Sequence, residues 1–273
     1  MLVGIFALLS LAAAVIYGLA AHPAPGQLWL CALIFVLGIL SLSVLFLLGA
    51  AIVSLFIPNK WPREKQNALC RFYLAWGGGM LCTYCRVKTH VTGMEKLPTD
   101  SRFLMVCNHR SAFDPLSLFF PLRRYNLAYV SKPENLALPV VGRIALGSGC
   151  LPIRRGEDRE ALRSILAAVD YLKRDICSIC IYPEGTRSKT GELLPFHHGS
   201  FKIAQRANVP LVICACSGSE QVKKNMFLRT THVYLDVLEV VDAAQVRAMS
   251  TAELSDHARE RIEKALAERE GKA

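Results

Sequence analysis

The chain has 273 residues, of which 52% are hydrophobic and 20% charged, with 32 Lys and Arg against 22 Asp and Glu for a net charge of +10. No Lys, Arg, Asp or Glu precedes Lys60, so the remainder has the charge density of an ordinary soluble domain joined to a charge-free apolar segment. Intrinsic disorder, collagen-like repeats and a multi-pass transporter body are excluded, as is a freely soluble protein that retains its first segment.

Residues Leu2–Ala21 form one apolar run and Leu28–Ile57 a second, separated by His22-Pro23-Ala24-Pro25-Gly26-Gln27. A membrane span takes about 20 apolar residues, so both runs are long enough, and the second has room for tilt. Signal peptides carry a basic leading region, which Met1-Leu2-Val3-Gly4 lacks. The segment over 1–59 therefore reads as a membrane-embedded helical hairpin. Lys60, Arg63, Lys65 and Arg71 crowd the end of the second run, and basic flanks stay cytoplasmic. The expected location is a membrane, the cytoplasmic one in a bacterium, with the body on the cytosolic side. The positive body suits an anionic bilayer, and the hairpin makes nucleic acid an unsuitable partner.

Residues 60–86 mix aromatic and basic side chains and read about equally as an interfacial linker helix and as a plain linker, with a break expected at Gly77-Gly78-Gly79. Residues 87–273 form the cytosolic domain. Strands are expected over Phe103–Cys107, Leu127–Val130, Ile176–Tyr182, Pro210–Cys216 and Val233–Val240. Their continuous apolar character indicates a sheet covered on both faces. Glu157–Arg174 has a helical spacing of apolar residues through Ala161, Leu162, Ile165, Leu166, Val169 and Leu172. Ser250-x-x-Glu253 is a capping box opening the last helix. The fold class is α/β: a mixed, largely buried sheet flanked by helices, preceded by the hydrophobic hairpin.

Ten cysteines fit a reducing compartment. Cys82-x-x-Cys85 and Cys177-x-x-Cys180 have zinc-like spacing, but residues three apart on a strand point to opposite faces. The second pair therefore reads as buried structural thiols, and no metal is expected. Lys223-Lys224-Asn225-Met226-Phe227-Leu228-Arg229 reads equally as a lipid-touching segment and as a solvated loop.

The chemistry gathers after two strands. In Cys107-Asn108-His109-Arg110-Ser111-Ala112-Phe113-Asp114-Pro115 the strand ends at Cys107 and a helix is expected from Pro115, with Asp114 as its N-cap. Five residues apart on a helix means about 140° of separation, so His109 and Asp114 meet only if a loop brings them together. A carboxylate on one imidazole nitrogen fixes the tautomer and makes His109 a competent general base. Tyr182-Pro183-Glu184-Gly185-Thr186-Arg187 follows another buried strand. Arg187 offers a planar fork for phosphate oxygens, and Gly185 permits close backbone approach.

Asn108-His109-Arg110-Ser111-x-x-Asp114 together with Pro183-Glu184-Gly185-Thr186-Arg187 resembles the glycerophospholipid acyltransferase family, and within it the 1-acylglycerol-3-phosphate (lysophosphatidate) acyltransferases. The likeness runs over about residues 85–265. It implies transfer of a fatty acyl group from an acyl thioester to the sn-2 hydroxyl of lysophosphatidate, giving phosphatidic acid. His109 and Asp114 would be catalytic, and Lys132, Arg155, Glu184, Gly185, Thr186 and Arg187 would bind substrate. The donor would be acyl-CoA or acyl carrier protein, serving as a substrate, with no bound cofactor and a phospholipid bilayer as partner. Four residues depart from the family pattern: Arg154 where Asp is usual, His197 and His198 where Lys commonly precedes the glycine, and Cys214 in place of a proline. Two other readings stay open, namely acylation of another lysophospholipid or an acylated amino-acid lipid, and a non-catalytic membrane-shaping or tethering protein on the same fold. No Gly-x-Ser-x-Gly elbow occurs and no Gly-x4-Gly-Lys-[Ser/Thr] phosphate loop, which disfavours a lipid hydrolase and a nucleotide-driven enzyme.

Overall fold

A computed structural model describes residues 1–154, 158–188 and 190–271. They form two compact units, Met1–Phe56 and Ile57–Ala273. The first holds α1 (Leu2–Ala21) and α2 (Trp29–Leu55), both long and apolar enough to cross a membrane. Small residues make their seam. Phe6, Ser10 and Ala14 are buried at i, i+4, i+8 on α1, and a Cβ at Gly38 of α2 would lie 2.5 Å from the Ser10 hydroxyl oxygen. Close backbone approach of this kind is how apolar helices associate where hydrophobic burial offers no advantage. Most other large side chains on the pair, Leu8, Leu19, Leu45 and Leu55 among them, are exposed.

The second unit begins with α3 (Ala68–Tyr84), β1 (Val87–Thr92), β2 (Leu104–Cys107), α4 (Phe113–Phe119) and β3 (Leu127–Ser131). It continues through α5 (Pro133–Leu136), α6 (Val141–Gly147), β4 (Leu151–Pro152), α7 (Asp158–Lys173) and β5 (Ser178–Ile181). Then come α8 (Lys202–Ala207), β6 (Leu211–Ser217), α9 (Val222–Asn225), β7 (Thr231–Val241), α10 (Ala243–Ala248) and α11 (Thr251–Glu270). Among the described residues, seven strands lie in the order β1-β7-β6-β2-β5-β3-β4, and only β6 and β7 pair antiparallel.

Alternation along the central strands separates two cores. Leu104 and Val106 pack with Ala168, Tyr171, Ile203 and Ile262. Met105 and Cys107 face the opposite side, among Leu118, Leu136, Leu146 and Val222. Cys177 belongs to the first core and Cys180 to the second, so the strand separates them as its two-residue period requires.

Four local expectations are corrected. Gly77–Gly79 do not break α3, which runs through them. A Cβ on Gly78 would sit 2.9 Å from the Leu116 carbonyl oxygen, and one on Gly79 would sit 3.2 Å from Phe120, so these glycines let α3 press against α4. α4 begins at Phe113 rather than Pro115, with Asp114 inside its first turn. The buried stripe of α7 runs through Ser164, Ala167, Ala168, Val169, Tyr171 and Leu172, so Val169 and Leu172 face inward as expected while Leu162 and Leu166 are exposed. Ser164 and Tyr171 tolerate the core because their hydroxyls find partners, Ser164 donating to the Pro152 carbonyl and Tyr171 accepting from the Arg63 N–H. Lastly, β1 and β4 were not expected. β1 is an edge strand with an alternating, half-exposed pattern, and β4 is two residues long.

Candidate active site

β2 runs parallel to both β5 and β6, so their carboxyl ends share one rim, where α/β sheets place their chemistry. Asn108 takes the first step beyond β2. Its side-chain amide donates to the Cys216 carbonyl at 2.8 Å and its side-chain oxygen accepts from the Cys216 N–H at 2.7 Å. One side chain thus extends the β2–β6 ladder past the end of β2.

His109 follows and is held at four points. Its N–H donates to Glu184 Oε1 at 2.5 Å, and its carbonyl accepts from the Ser188 N–H at 2.9 Å. Its ring stacks on Tyr182, with centroids 4.2 Å apart and planes 17° from parallel. Nδ1 lies 2.7 Å from Asp114 Oδ2. The loop of Arg110 and Ser111 meets the condition set by their spacing and brings the two residues together. The carboxylate assigns the neutral ring's proton to Nδ1, leaving Nε2 as the basic nitrogen.

Asp114 is fully buried and richly bonded. Oδ2 also accepts the N–H groups of Arg110 at 2.8 Å and Ser111 at 2.9 Å. Oδ1 accepts the hydroxyl of Ser219, and the Cys216 thiol lies 3.7 Å from it. The carboxylate therefore reaches back into the loop instead of capping the helix ahead of it, which is why α4 can start before it.

Glu184 reaches the site as a strap. It is buried, and its two oxygens take the N–H groups of His109 and, at 3.0 Å, Leu194. Burial pushes its carboxyl above the usual range, against the pull of those two donors. Gly185 adopts φ +67°, closing a turn in which its N–H bonds the Tyr182 carbonyl at 3.0 Å. Thr186 and Arg187 are exposed beyond that turn, and Lys132 is exposed where β3 passes into α5. Arg155 lies outside the described residues. Arg154 pairs with Glu160 at 3.5 Å.

Burial raises the thiols of Cys107, Cys180, Cys214 and Cys216. They stay protonated and cannot serve as thiolate nucleophiles. Among the described residues the site thus offers a carboxylate-oriented imidazole with no activated nucleophile beside it, an arrangement for deprotonating a hydroxyl supplied by a substrate. Asn108, Ser188, Leu194, Cys216 and Ser219 were not anticipated as parts of this site. Their common signal is position, at or just past a strand end or in the loops that return there.

The family model described as Acyltransferase matches residues 88–217. The 1-acyl-sn-glycerol-3-phosphate acyltransferase of Escherichia coli is 30% identical over 176 residues, 63% of this chain and 71% of that protein. This chain belongs to the acyltransferase family that holds the 1-acyl-sn-glycerol-3-phosphate acyltransferases. The enzyme of that name from Salmonella typhimurium is 31% identical over 166 residues, 60% of this chain and 67% of that protein. The chain spans about half the length of the chloroplast relatives from Brassica napus and Arabidopsis thaliana. The acyltransferase fold is also that of the crystal structure of the 1-acyl-sn-glycerophosphate (LPA) acyltransferase from Thermotoga maritima. The two superpose with a TM-score of 0.61 at 24% identity, covering 81% of this chain and 87% of that one.

Proposed function

We propose that the protein transfers a fatty acyl group from an acyl thioester to the sn-2 hydroxyl of 1-acylglycerol-3-phosphate, making phosphatidic acid. The observation that carries this reading is the 2.7 Å contact between His109 Nδ1 and Asp114 Oδ2 at the strand rim, in a chain whose relatives bear that enzyme's name. His109 Nε2 takes the proton as the hydroxyl oxygen attacks the thioester carbonyl. Asp114 stabilises the imidazolium. As the tetrahedral intermediate collapses, the C–S bond breaks and the proton passes to the sulfur, releasing a thiol and restoring His109. General-base help of this kind is worth about 10²–10⁴-fold, so positioning of the two lipids supplies much of the remaining acceleration.

Arg187, on the exposed side of the Gly185 turn, is the phosphate-binding group in this reading, with Lys132 and Arg155 as further cations and Gly185 and Thr186 shaping the turn. Glu184 acts on the substrate site indirectly, by tying the His109 and Leu194 loops together. The thioester is carried by coenzyme A or acyl carrier protein and arrives activated, so no bound cofactor enters the scheme. The N-terminal hairpin holds the body on the cytosolic membrane face, where a single-chain acceptor is recruited and its product returned.

The test is thioester-dependent acylation by membranes containing the wild-type chain or His109→Ala, offered lysophosphatidate, lysophosphatidylethanolamine, lysophosphatidylglycerol and glycerol-3-phosphate. Transfer to lysophosphatidate that falls at least about a hundredfold in the variant is expected. Transfer to a different acceptor would move the substrate assignment. Absence of any His109-dependent transfer would overturn the enzymatic reading.

A further inference from the structure

The two oxygens of Asp114 are held from different parts of the chain. Oδ2 is occupied from within its own loop, by the His109 ring and the N–H groups of Arg110 and Ser111. Oδ1 is reached by the Ser219 hydroxyl, 105 residues further along. Ser219 is fully buried.

Its placement is built in from two sides. Asn108 clamps Cys216 through both its N–H and its carbonyl, fixing the end of β6 against the end of β2. Gly218 then turns the chain at φ +84°, and a Cβ there would lie 2.2 Å from the His232 carbonyl oxygen. Only glycine fits that turn, and the turn aims the next side chain at Asp114. A hydroxyl donor to a carboxylate is a strong, charge-assisted hydrogen bond. The Cys216 thiol near the same oxygen is a weak donor and no substitute for it.

We propose that Ser219 is a positioning residue of the dyad, fixing the Asp114 carboxylate against His109 and drawing part of its charge onto a third chain segment. The acyl-transfer reading enters only where the consequence is measured as turnover.

Among the described residues, the other groups facing the dyad are neutral or paired. Cys107 on β2, Cys180 on β5, Tyr182 just beyond it and Cys216 on β6 are buried and shifted upward, hence neutral. Glu184 bonds two backbone N–H groups. Arg110 donates to the Gly191 carbonyl at 2.8 Å and lies 4.0 Å from Glu220. Removing the Ser219 hydroxyl therefore changes the donor set on Oδ1 and leaves these charges in place. With one donor fewer, the carboxylate holds the imidazolium more tightly.

The experiment compares the wild-type chain with Ser219→Ala and Ser219→Thr, full length in lipid nanodiscs. The His109 imidazole is titrated by NMR, its signal assigned by its loss in His109→Gln. The pH profile of kcat/KM is recorded alongside, and thermal melts establish that each variant is folded. In Ser219→Ala the His109 midpoint is expected to rise by roughly half to one pH unit. The acid limb of kcat/KM should follow it, with kcat down about tenfold and KM little changed. Ser219→Thr, which keeps the hydroxyl, should restore the midpoint and the rate. A His109 midpoint unmoved in folded Ser219→Ala overturns the proposal, as does a folded Ser219→Thr that behaves like the alanine variant. If the wild-type chain transfers no acyl group, the functional reading fails, while the NMR midpoint still decides the part played by Ser219.

Discussion

At the scale of single residues, the site is assembled by groups whose polar atoms serve structure and chemistry together. Glu184 is the clearest case. It is buried, and desolvation raises its carboxyl above the ordinary value of 4.5 despite two N–H donors. An acid raised in the folded state keeps its proton longer there than in the unfolded chain. The stability it contributes is complete below about pH 4.5 and is lost as pH rises through the raised value. Glu184→Gln retains an acceptor oxygen and cannot ionise, so it removes that loss. Its melting temperature relative to wild type should climb between about pH 4 and pH 7, measured by thermal unfolding in detergent. A difference that stays flat across the range would show that the carboxylate's burial carries no net cost. Glu184 stood out in the sequence as part of Pro183-Glu184-Gly185-Thr186-Arg187, but its work as a strap could not be seen there, because its partners are backbone N–H groups, which every residue except proline carries.

At the scale of elements, the contact between α3 and α4 decides how the Asp114 helix is seated. Replacing a helical glycine gains about 0.5–1 kcal/mol from reduced backbone freedom. At Gly78 that gain meets a carbonyl oxygen of α4, with the new Cβ only 2.9 Å from it. Overpacking costs typically about 1–3 kcal/mol, so the cost prevails. Gly78→Val is expected to lower the melting temperature by several degrees and to reduce acyl transfer through displacement of α4. A variant at least as stable as wild type would show that α3 slides freely over α4. The strands that cross the molecule's centre were legible because continuous apolar runs have few other uses. The rotation of α7 was not, since Ser164 and Tyr171 count as polar in any pattern and are buried only because the Ser164 hydroxyl donates to the Pro152 carbonyl and the Tyr171 oxygen accepts the Arg63 N–H.

At the scale of the whole molecule, the two units differ in where their apolar surface lies. α1 and α2 expose leucine, isoleucine and valine over most of their surface, whereas the second unit buries most of its large apolar side chains in two cores. α2 alone, at 27 residues, is about 40 Å long at 1.5 Å per residue, more than the roughly 30 Å of a bilayer's hydrocarbon, so crossing a bilayer would require tilt or an overhang. Both high salt and alkaline carbonate should leave the full chain in the membrane pellet. Release by salt alone would show that the basic surface, and not the hairpin, makes the attachment.

The amino-acid order by itself determined the apolar hairpin, the covered α/β sheet and the membership in an acyltransferase family, and it set the condition, a loop between them, under which His109 meets Asp114. These rest on hydrophobic period, on residues close in the chain and on compact motifs. Tertiary structure alone decided that Ser219 reaches Asp114, that Asn108 ties β2 to β6, that Glu184 straps His109 to Leu194, and that the α3 glycines are a packing seam rather than a break. Each of those contacts joins residues between 10 and 108 positions apart, or depends on which face a helix turns inward. Such partners are chosen by how strands order themselves in the sheet, and no local pattern encodes that order.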